Sequence, residues 1–559
     1  MIAKQQTLKK VRNKQLSNRM AAAKALVKCL ELEHISTVFG YPGAAICPFY
    51  DALSHSSVEH ILVRHEANAG HAASGMARMT GRPAVCCATS GPGAVNLITA
   101  IATAYMDSIP IVVITGQVCT DQIGKDVFQE ADITGAAEPF VKHSYLIKEA
   151  ETLPETVRKA FYIASTGRPG PVLIDVPFDV QSEEIEFDPL KYADSVDIRG
   201  YKPGAAGNKL QIKRVVEAIS GSKKPLICAG GGLFSENSFM LMREIAERAD
   251  IPVVNTMMGI STFPNQHPLY YGMIGMHGKQ NANRAMNECD LLILLGARVN
   301  DRAVLALKER ALNVIHVDID PAEIGKNLPA TIPVVGDIHK VLKQILEQLP
   351  HQKHTEWNEY LKNNAGSDGD EIPSAPATVN PKRFLRILNR LIPGDAVIVA
   401  DVGQNQIWTA NTISLGEGGR FLTSGGMGTM GYSVPAAIGA KKAEPAREVI
   451  AVCGDGSFQM QMMELATAVQ HNINIKIIIM KNNRLGMVRE LQQDKYSGNL
   501  TAVFLDGSPD FIKVAAAYGI HGETLTDEKN ADKALITLLA SKKPYVLQVS
   551  VDESAVSLL

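Results

Sequence analysis

Short apolar, β-branched runs alternate along the chain with longer segments in which apolar positions return every three or four residues, starting at Ala21. Apolar runs bounded by turn residues and separated by helical stretches are the pattern of parallel strands with crossover helices. The pattern predicts a helix over 21–33 and strands over 37–39, 61–64, 84–88, 111–115 and 172–175. A second set of strands is predicted over 225–229, 252–255, 291–295 and 314–318, and a third over 396–400, 449–453, 473–480 and 545–551. The stretches 187–208 and 351–381 are rich in proline, glycine and polar residues and read as linkers. The expectation is an α/β chain of three doubly wound parallel-sheet domains over 21–186, 209–350 and 382–559, preceded by a basic arm over 1–20.

Length and charge sharpen this. At 559 residues the chain exceeds what one hydrophobic core organises. Lys plus Arg number 56 against 58 Asp plus Glu, so the basic excess of a nucleic-acid binder is missing. No run approaches the roughly 20 apolar residues of a membrane-spanning helix, and no membrane partner is expected. The eight cysteines show neither C-x-x-C spacing nor paired Cys/His clusters, which fits reduced thiols and a cytoplasmic location. The arm carries Lys4, Lys9, Lys10, Arg12, Lys14 and Arg19 with no acid before Glu31. It lacks the apolar core of a secretory signal; a solvated arm is the plainer reading and an organelle transit peptide the second.

The strongest motif lies in the third domain. The apolar run from Val449 breaks at Gly454-Asp455-Gly456-Ser457 and enters a helical pattern over 458–471. Glycines there let backbone N–H groups approach a phosphate. Taken alone, GDGS is more often a simple strand-to-helix turn. The next apolar run ends at Lys481-Asn482-Asn483, and 482 − 455 gives 27 positions from Asp455 to Asn482. One strand-helix-strand unit brings both side-chain oxygens to the same sheet edge, where they suit a hard cation such as Mg²⁺ bridging a diphosphate.

This GDG-to-NN pattern resembles that of thiamine-diphosphate enzymes. The resemblance implies Mg²⁺ held by Asp455, Asn482 and the backbone carbonyl of Arg484, with Leu485, Gly486, Met487 and Val488 following in the cofactor shell. The string Arg64-His65-Glu66 is similar to the family's catalytic-glutamate motif and is read as the end of an apolar strand beside a helix over 69–79. A carboxyl in apolar surroundings is tuned for proton exchange with the cofactor's pyrimidine ring. Without that context a strand-end glutamate is usually a solvated group or a cap. Gly426, Gly428 and Met430 resemble the segment that holds the cofactor bent, although a methionine is more often plain packing. Gly403, Gln404, Asn405, Pro42, Pro92 and Asn96 complete the implied shell. Glu66 and Asp455 lie in different domains, and in the family the cofactor bridges two subunits, which implies a homodimer or homotetramer.

Longer strings, among them 39–43, 88–94, 101–107, 115–118 and 123–132, narrow the resemblance to the acetohydroxyacid (acetolactate) synthase catalytic subunit, from about Ala21 to the C-terminus. The three domains are then pyrimidine-binding, FAD-binding-like and diphosphate-binding. The implied reaction is decarboxylating condensation of two pyruvates to 2-acetolactate and CO₂, or addition to 2-ketobutyrate, in branched-chain amino acid biosynthesis. FAD is implied as a cofactor without net redox role, at Gly230, Gly231, Gly232, Thr256, Met257, Gly275, Met276, His277, Gly278, Gly296, Ala297, Arg298, Asp318, Ile319 and Asp337, with Arg168 reaching the nucleotide. Glycines after strands suit a pyrophosphate and strand-end acids suit ribose hydroxyls, though a lone GGG is commonly a turn. Arg302 is the implied acceptor-carboxylate residue, with a surface ion pair as its plainer alternative. Lys125, Phe128 and Gln129 line the same entrance, and a small regulatory subunit is a further implied partner.

The chain departs from the family at four points. Ala44 replaces a glycine, Asn405 a histidine near the diphosphate, and Leu491 a tryptophan that favours 2-ketobutyrate; the sequence stops at Leu559, where longer relatives continue into a lid. The competing readings are a related keto-acid decarboxylase, carboligase or oxidase and, from another class, a non-catalytic regulatory paralogue. Retention of Glu66, Asp455 and Asn482 speaks against the last.

Overall fold

The computed structural model describes residues 19–192, 196–298, 312–364 and 377–557. They fall into two compact units: residues up to Ser74 together with Arg82–Tyr201, and Gly75–Gly81 together with Lys202–Leu559.

The first unit is built on a six-stranded parallel sheet. From edge to edge it runs Glu59–Leu62, Thr37–Tyr41, Ala84–Ala88, Ile111–Gln117, Val172–Pro177 and His143–Leu146. Every residue of Ile111–Gln117 and Val172–Pro177 is buried, as expected of strands covered on both faces. Helix Ala22–Leu32 presents Ala22, Ala25, Leu26, Cys29 and Leu30 to the same core as Val157 and Phe161 of helix Leu153–Ser165. Arg19–Ala21, partly inside the expected arm, pairs antiparallel with Glu184–Glu186.

The second unit contains two more six-stranded parallel sheets. One runs Tyr270–Met273, Val253–Asn255, Pro225–Ala229, Leu291–Leu295, Asn313–Asp318 and Ile332–Val335. The other runs Arg420–Leu422, Val397–Ala400, Val449–Gly454, Lys476–Lys481, Tyr545–Ser550 and His521–Leu525. Met273 of the first of these sheets and Ile260 share a core with Phe384 and Trp408, on helices Pro381–Leu391 and Gln404–Thr412 that accompany the other.

Counted along the chain, the first and last sheets have the order 2-1-3-4-6-5, whereas the central one has 3-2-1-4-5-6. The latter is the dinucleotide-binding order. In every case the crossover direction reverses beside the first strand, and ligands of open α/β sheets bind at that switch point, outside the carboxyl ends of the strands.

Several expectations change. The strand before Glu66 ends at Leu62, and Glu66 is the first residue of helix Glu66–Thr80. The helix expected over 458–471 is broken into Asp455–Gln459 and Glu464–Gln470. The break carries Gln461, whose side chain is fastened to Asp401 and to the Val434 amide. Within the expected linkers lie helix Pro189–Tyr192 and helix Thr355–Asn363. Trp357 of the latter is buried and donates Nε1–H to Pro225 O at 3.1 Å, so this segment packs on the central sheet.

Candidate active site

In the last sheet the switch point lies between Val397–Ala400 and Val449–Gly454. Asp455 follows the second of these strands and is 1% exposed. Its Oδ2 accepts from Asn483 N at 2.7 Å and its Oδ1 from Gly456 N at 3.1 Å. Burial pushes the carboxyl up to about 6 against those two bonds. Asn482 directly follows the adjacent strand Lys476–Lys481, is 7% exposed, and donates from Nδ2 to Gln404 Oε1 at 2.9 Å, while its Oδ1 accepts from Arg484 N at 3.0 Å. Asp455 and Asn482, paired through sequence spacing alone, thus meet at one sheet edge. Asn483 takes a left-handed φ of +54° in the turn, and the turn is braced by Leu505 N donating to Asn483 O and Leu485 N donating to Val503 O.

The donor set fits a hard cation. A buried carboxylate with a spare lone pair on each oxygen, a buried amide oxygen and a backbone turn make an oxygen-only site. Gly456 supplies the close approach: a Cβ there would come 2.9 Å from Leu485 Cδ2, and Met430 Cε is 3.6 Å away. Met430 is therefore beside the Asp455 turn.

Asp401, not singled out from the sequence, organises the other wall. Fully buried after strand Val397–Ala400, it accepts from Gly431 N at 2.9 Å, Ser433 N at 2.8 Å and Gln461 Nε2 at 2.8 Å. Burial raises its pKa and these bonds oppose the rise. They anchor the loop with Gly426, Gly428 (φ +68°) and Met430; Met427 and Gly428 are exposed in this chain. Gly403 and Gln404 begin the next helix, and Asn405 donates from Nδ2 to Asp401 O at 2.8 Å and Val452 O at 3.2 Å. Its Oδ1 faces Gly403 and Gly454, where a Cβ would approach to 2.6 and 3.2 Å. Asn405 thus braces both strand ends, with the two glycines leaving room for it.

In the first unit the corresponding edge holds Glu66. Asn96 donates from Nδ2 to Glu66 Oε2 at 2.9 Å, and a Cβ on Gly93 would come 3.3 Å from Glu66 Oε1. Pro92 starts helix Pro92–Asn96, so Pro92, Asn96 and Glu66 are brought together. Pro42 follows strand Thr37–Tyr41 and is exposed. Further along helix Glu66–Thr80, His71 is buried, and desolvation lowers its pKa to about 4. Phe128 is 87% exposed, and Lys125 is exposed as well. Their loop is held by Glu130, which accepts from the amides of Gly124 and Val127. Gln129 has a left-handed φ of +59°, and its backbone lies against Gly91, where a Cβ would come 2.8 Å from Gln129 O.

The central sheet's switch point is formed by glycines. A Cβ on Gly230 would lie 2.1 Å from Gly296 O, and one on Gly232 2.9 Å from Gly296 Cα; Gly296 itself has φ +54°. This glycine contact brings the ends of Pro225–Ala229 and Leu291–Leu295 together, with Gly231 between and Ala297 buried beyond. Thr256 Oγ1 caps the turn Met257–Gly259 by accepting from Gly259 N. Gly275 N donates to Asn283 Oδ1, and Gly278 N to Gly275 O, which folds Met276 and His277 into a tight turn with Met276 exposed. Asn255 Oδ1, directly before Thr256, and Asn411 Oδ1, whose nitrogen is bonded to His277 O, are buried and receive no hydrogen bond among the described residues. Close glycine backbones and buried open acceptors fit a hydroxyl-rich dinucleotide such as FAD. Asp318 ends strand Asn313–Asp318 and accepts from Asp320 N across Ile319; Asp337 caps helix Ile338–Leu346 through Lys340 N. Arg298 lies directly beyond Ala297. Arg168 Nε donates to Ser108 Oγ at 2.9 Å, and its guanidinium lies over the Tyr105 ring. Arg302 lies outside the described residues.

Residues 20–136 match the thiamine pyrophosphate enzyme N-terminal TPP binding domain, 212–345 the central domain and 401–549 the C-terminal TPP binding domain. The "Probable acetolactate synthase large subunit" of Methanocaldococcus jannaschii is 44% identical, over 95% of this chain and 92% of that protein. The acetolactate synthase isozyme 3 large subunit of Escherichia coli is 39% identical, over 96% of this chain and 95% of that protein. The acetolactate synthase large subunit of Corynebacterium glutamicum is 41% identical, over 96% and 88%. Three domain matches in order, full-length likeness and the Asp455–Asn482 edge agree: the chain belongs to the acetolactate synthase large-subunit family of thiamine pyrophosphate enzymes.

Proposed function

We propose that the chain condenses two molecules of pyruvate to 2-acetolactate with loss of CO₂, and that 2-ketobutyrate serves as a second acceptor. The observation that carries this is the meeting of buried Asp455 and Asn482 at the switch point of the last sheet. These residues, with the Arg484 carbonyl, would hold Mg²⁺ and through it a diphosphate, while Gln404, Asn405 and Gly454 to Ser457 line the phosphates. When bound, thiamine diphosphate supplies the carbon that adds to a keto carbon and accepts the electron pair released with CO₂. Glu66, oriented by Asn96, exchanges a proton with the pyrimidine nitrogen. Met430, beside the Gly456 turn, would pack against the cofactor. Arg302 pairs with the acceptor's carboxylate through both guanidinium arms, and Phe128, Gln129 and Lys125 border the entrance.

The site is shared between two copies of the chain, the Glu66 unit of one serving the Asp455 unit of the other, in a homodimer or a tetramer of such dimers. FAD occupies the Gly230/Gly296 crevice without redox turnover, and a small regulatory subunit is the protein partner. The test is incubation of the purified chain with pyruvate, Mg²⁺ and thiamine diphosphate, with and without FAD and 2-ketobutyrate, followed by product identification. Acetolactate supports the reading; acetaldehyde, peroxide or no product replaces it with a decarboxylase, an oxidase or a non-catalytic paralogue.

A further inference from the structure

Asn482 can serve a cation only if its amide is turned so that oxygen, not nitrogen, faces the metal. Its Nδ2 donates to Gln404 Oε1 at 2.9 Å, so Asn482 is set by the orientation of Gln404. Gln404 is also an amide, 4% exposed, and could in principle flip. Two acceptors prevent it: Gln404 Nε2 donates to Glu490 Oε1 at 2.5 Å and to Ala555 O at 2.6 Å. With both N–H groups claimed on that side, Oε1 is left facing Asn482.

Each acceptor is itself fixed. Glu490 lies on helix Gly486–Lys495, and its Oε1 also accepts from Ser557 N at 2.6 Å and Ser557 Oγ at 3.2 Å. Ala555 belongs to the segment after strand Tyr545–Ser550. Arg489, next to Glu490, donates to three successive carbonyls of that segment: Glu553 O at 2.6 Å, Ser554 O at 3.3 Å and Ala555 O at 2.7 Å. Trp408 Nε1 adds a bond to Val556 O at 2.9 Å.

We propose that the segment Glu553–Ser557, with Arg489 and Glu490, is a positioning device for the metal ligand: it polarises the amide relay from Gln404 to Asn482 so that Asn482 presents oxygen to the cation. This rests on the Mg²⁺–diphosphate reading above. Glu490 acts as an acceptor, through a single oxygen that a glutamine also possesses, and its charge is not required. Substitutions behind a metal ligand typically weaken metal binding by about 10- to 100-fold.

The test titrates Mg²⁺ against full-length chains at fixed thiamine diphosphate, reading cofactor binding by calorimetry, with melting temperature without cofactor as the control for folding. Glu490→Leu and Arg489→Ala should need at least about tenfold more Mg²⁺ for half-saturation. Glu490→Gln should stay within about threefold of the unaltered chain, because it keeps the accepting oxygen. The rate at saturating Mg²⁺ should change far less than the half-saturation point in all three. Unaltered Mg²⁺ demand in folded Glu490→Leu, or in folded Arg489→Ala should Glu490→Leu not fold, overturns the proposal. So does a Glu490→Gln chain as impaired as Glu490→Leu. Failure of the unaltered chain to bind thiamine diphosphate with Mg²⁺ would instead strike the cofactor reading, and the relay with it.

Discussion

Asn96 donates a hydrogen bond to Glu66 across 2.9 Å, from the last turn of one short helix to the first residue of another. The bond holds one carboxyl oxygen and leaves the other beside Gly93, where any side chain would crowd it. Glu66→Gln keeps the shape and removes the exchangeable proton. Acetolactate formation should fall by at least about 100-fold while thiamine diphosphate affinity changes little. Asn96→Ala should sit between the two, since it loses one hydrogen bond to a charged group, about 1.5–3 kcal/mol at most. Product formation and calorimetric binding measured side by side check this; near-normal turnover by Glu66→Gln contradicts the role.

Gly486 touches the site from behind. A Cβ there would lie 1.9 Å from Gln404 Oε1, the atom that orients Asn482. The long side chain of Gln404 has no slack, because Glu490 and Ala555 hold its nitrogen. Gly486→Ala should therefore lower Mg²⁺-dependent cofactor affinity by about tenfold or more while leaving the cofactor-free melting temperature nearly unchanged. A variant that binds cofactor normally would show that Gln404 can move aside.

The sequence reveals the sheets from their middles outward. The stretches 111–114, 291–295 and 449–453 are buried on both faces and stand out as unbroken apolar runs. In the three six-stranded sheets, the strands the pattern does not predict, His143–Leu146, Tyr270–Met273, Ile332–Val335, Arg420–Leu422 and His521–Leu525, all lie at sheet edges. There one side is open, and residues such as His143, Arg420, His521 and Glu523 dilute the signal. The same limit applies to the site. Asp455 and Asn482 are legible because one strand-helix-strand unit separates them. Gln404, Glu490 and Ala555 are joined across 86 and 151 positions by hydrogen bonds, which no local pattern encodes. Asp401 carries no motif of its own, and its role depends on three donors from residues 431, 433 and 461.

Asp175 gives the first unit a pH dependence. It is 1% exposed and accepts from Thr115 Oγ1 at 2.7 Å and Gln117 Nε2 at 2.9 Å. Burial nevertheless pushes its carboxyl up to about 7, with the two hydrogen bonds opposing. The folded pKa lies above the unfolded one, so the folded state binds more protons between roughly pH 4 and 7. The group's contribution is thus fully present below the unfolded value and is lost as pH rises through 7, at up to about 1.4 kcal/mol per pH unit. Melting curves of the unaltered chain and Asp175→Asn should show the difference between them shifting against the unaltered chain from pH 5 to 7 and levelling above. A constant difference across that range contradicts the assignment.

The Gly230/Gly296 contact makes a separate prediction for the central sheet. Gly230→Ala places a methyl 2.1 Å from the Gly296 carbonyl, a backbone atom that cannot rotate away. The ends of Pro225–Ala229 and Leu291–Leu295 must part, and the crevice loses its shape. The unaltered chain should take up FAD, seen as visible flavin absorbance that survives gel filtration, and Gly230→Ala should not. An alanine variant that retains flavin would place the dinucleotide elsewhere.

Leu491 bears on the choice between acceptors. It lies on helix Gly486–Lys495, one residue beyond Glu490, and is 53% exposed in the isolated chain. Pyruvate and 2-ketobutyrate differ by one methylene, and a pocket wall that packs against it is worth about 1–3 kcal/mol, or roughly 10- to 200-fold in selectivity. A leucine offers less flat contact area to that methylene than an indole does. Leu491→Trp should therefore raise the proportion of 2-aceto-2-hydroxybutyrate when the two keto acids compete, by about tenfold, with little change in the rate on pyruvate alone. The ratio is read directly from the products of one mixed incubation. If the tryptophan variant forms both products in the unaltered ratio, the wall that distinguishes the acceptors is not this helix, and the loop carrying Phe128 and Gln129 becomes the next place to change.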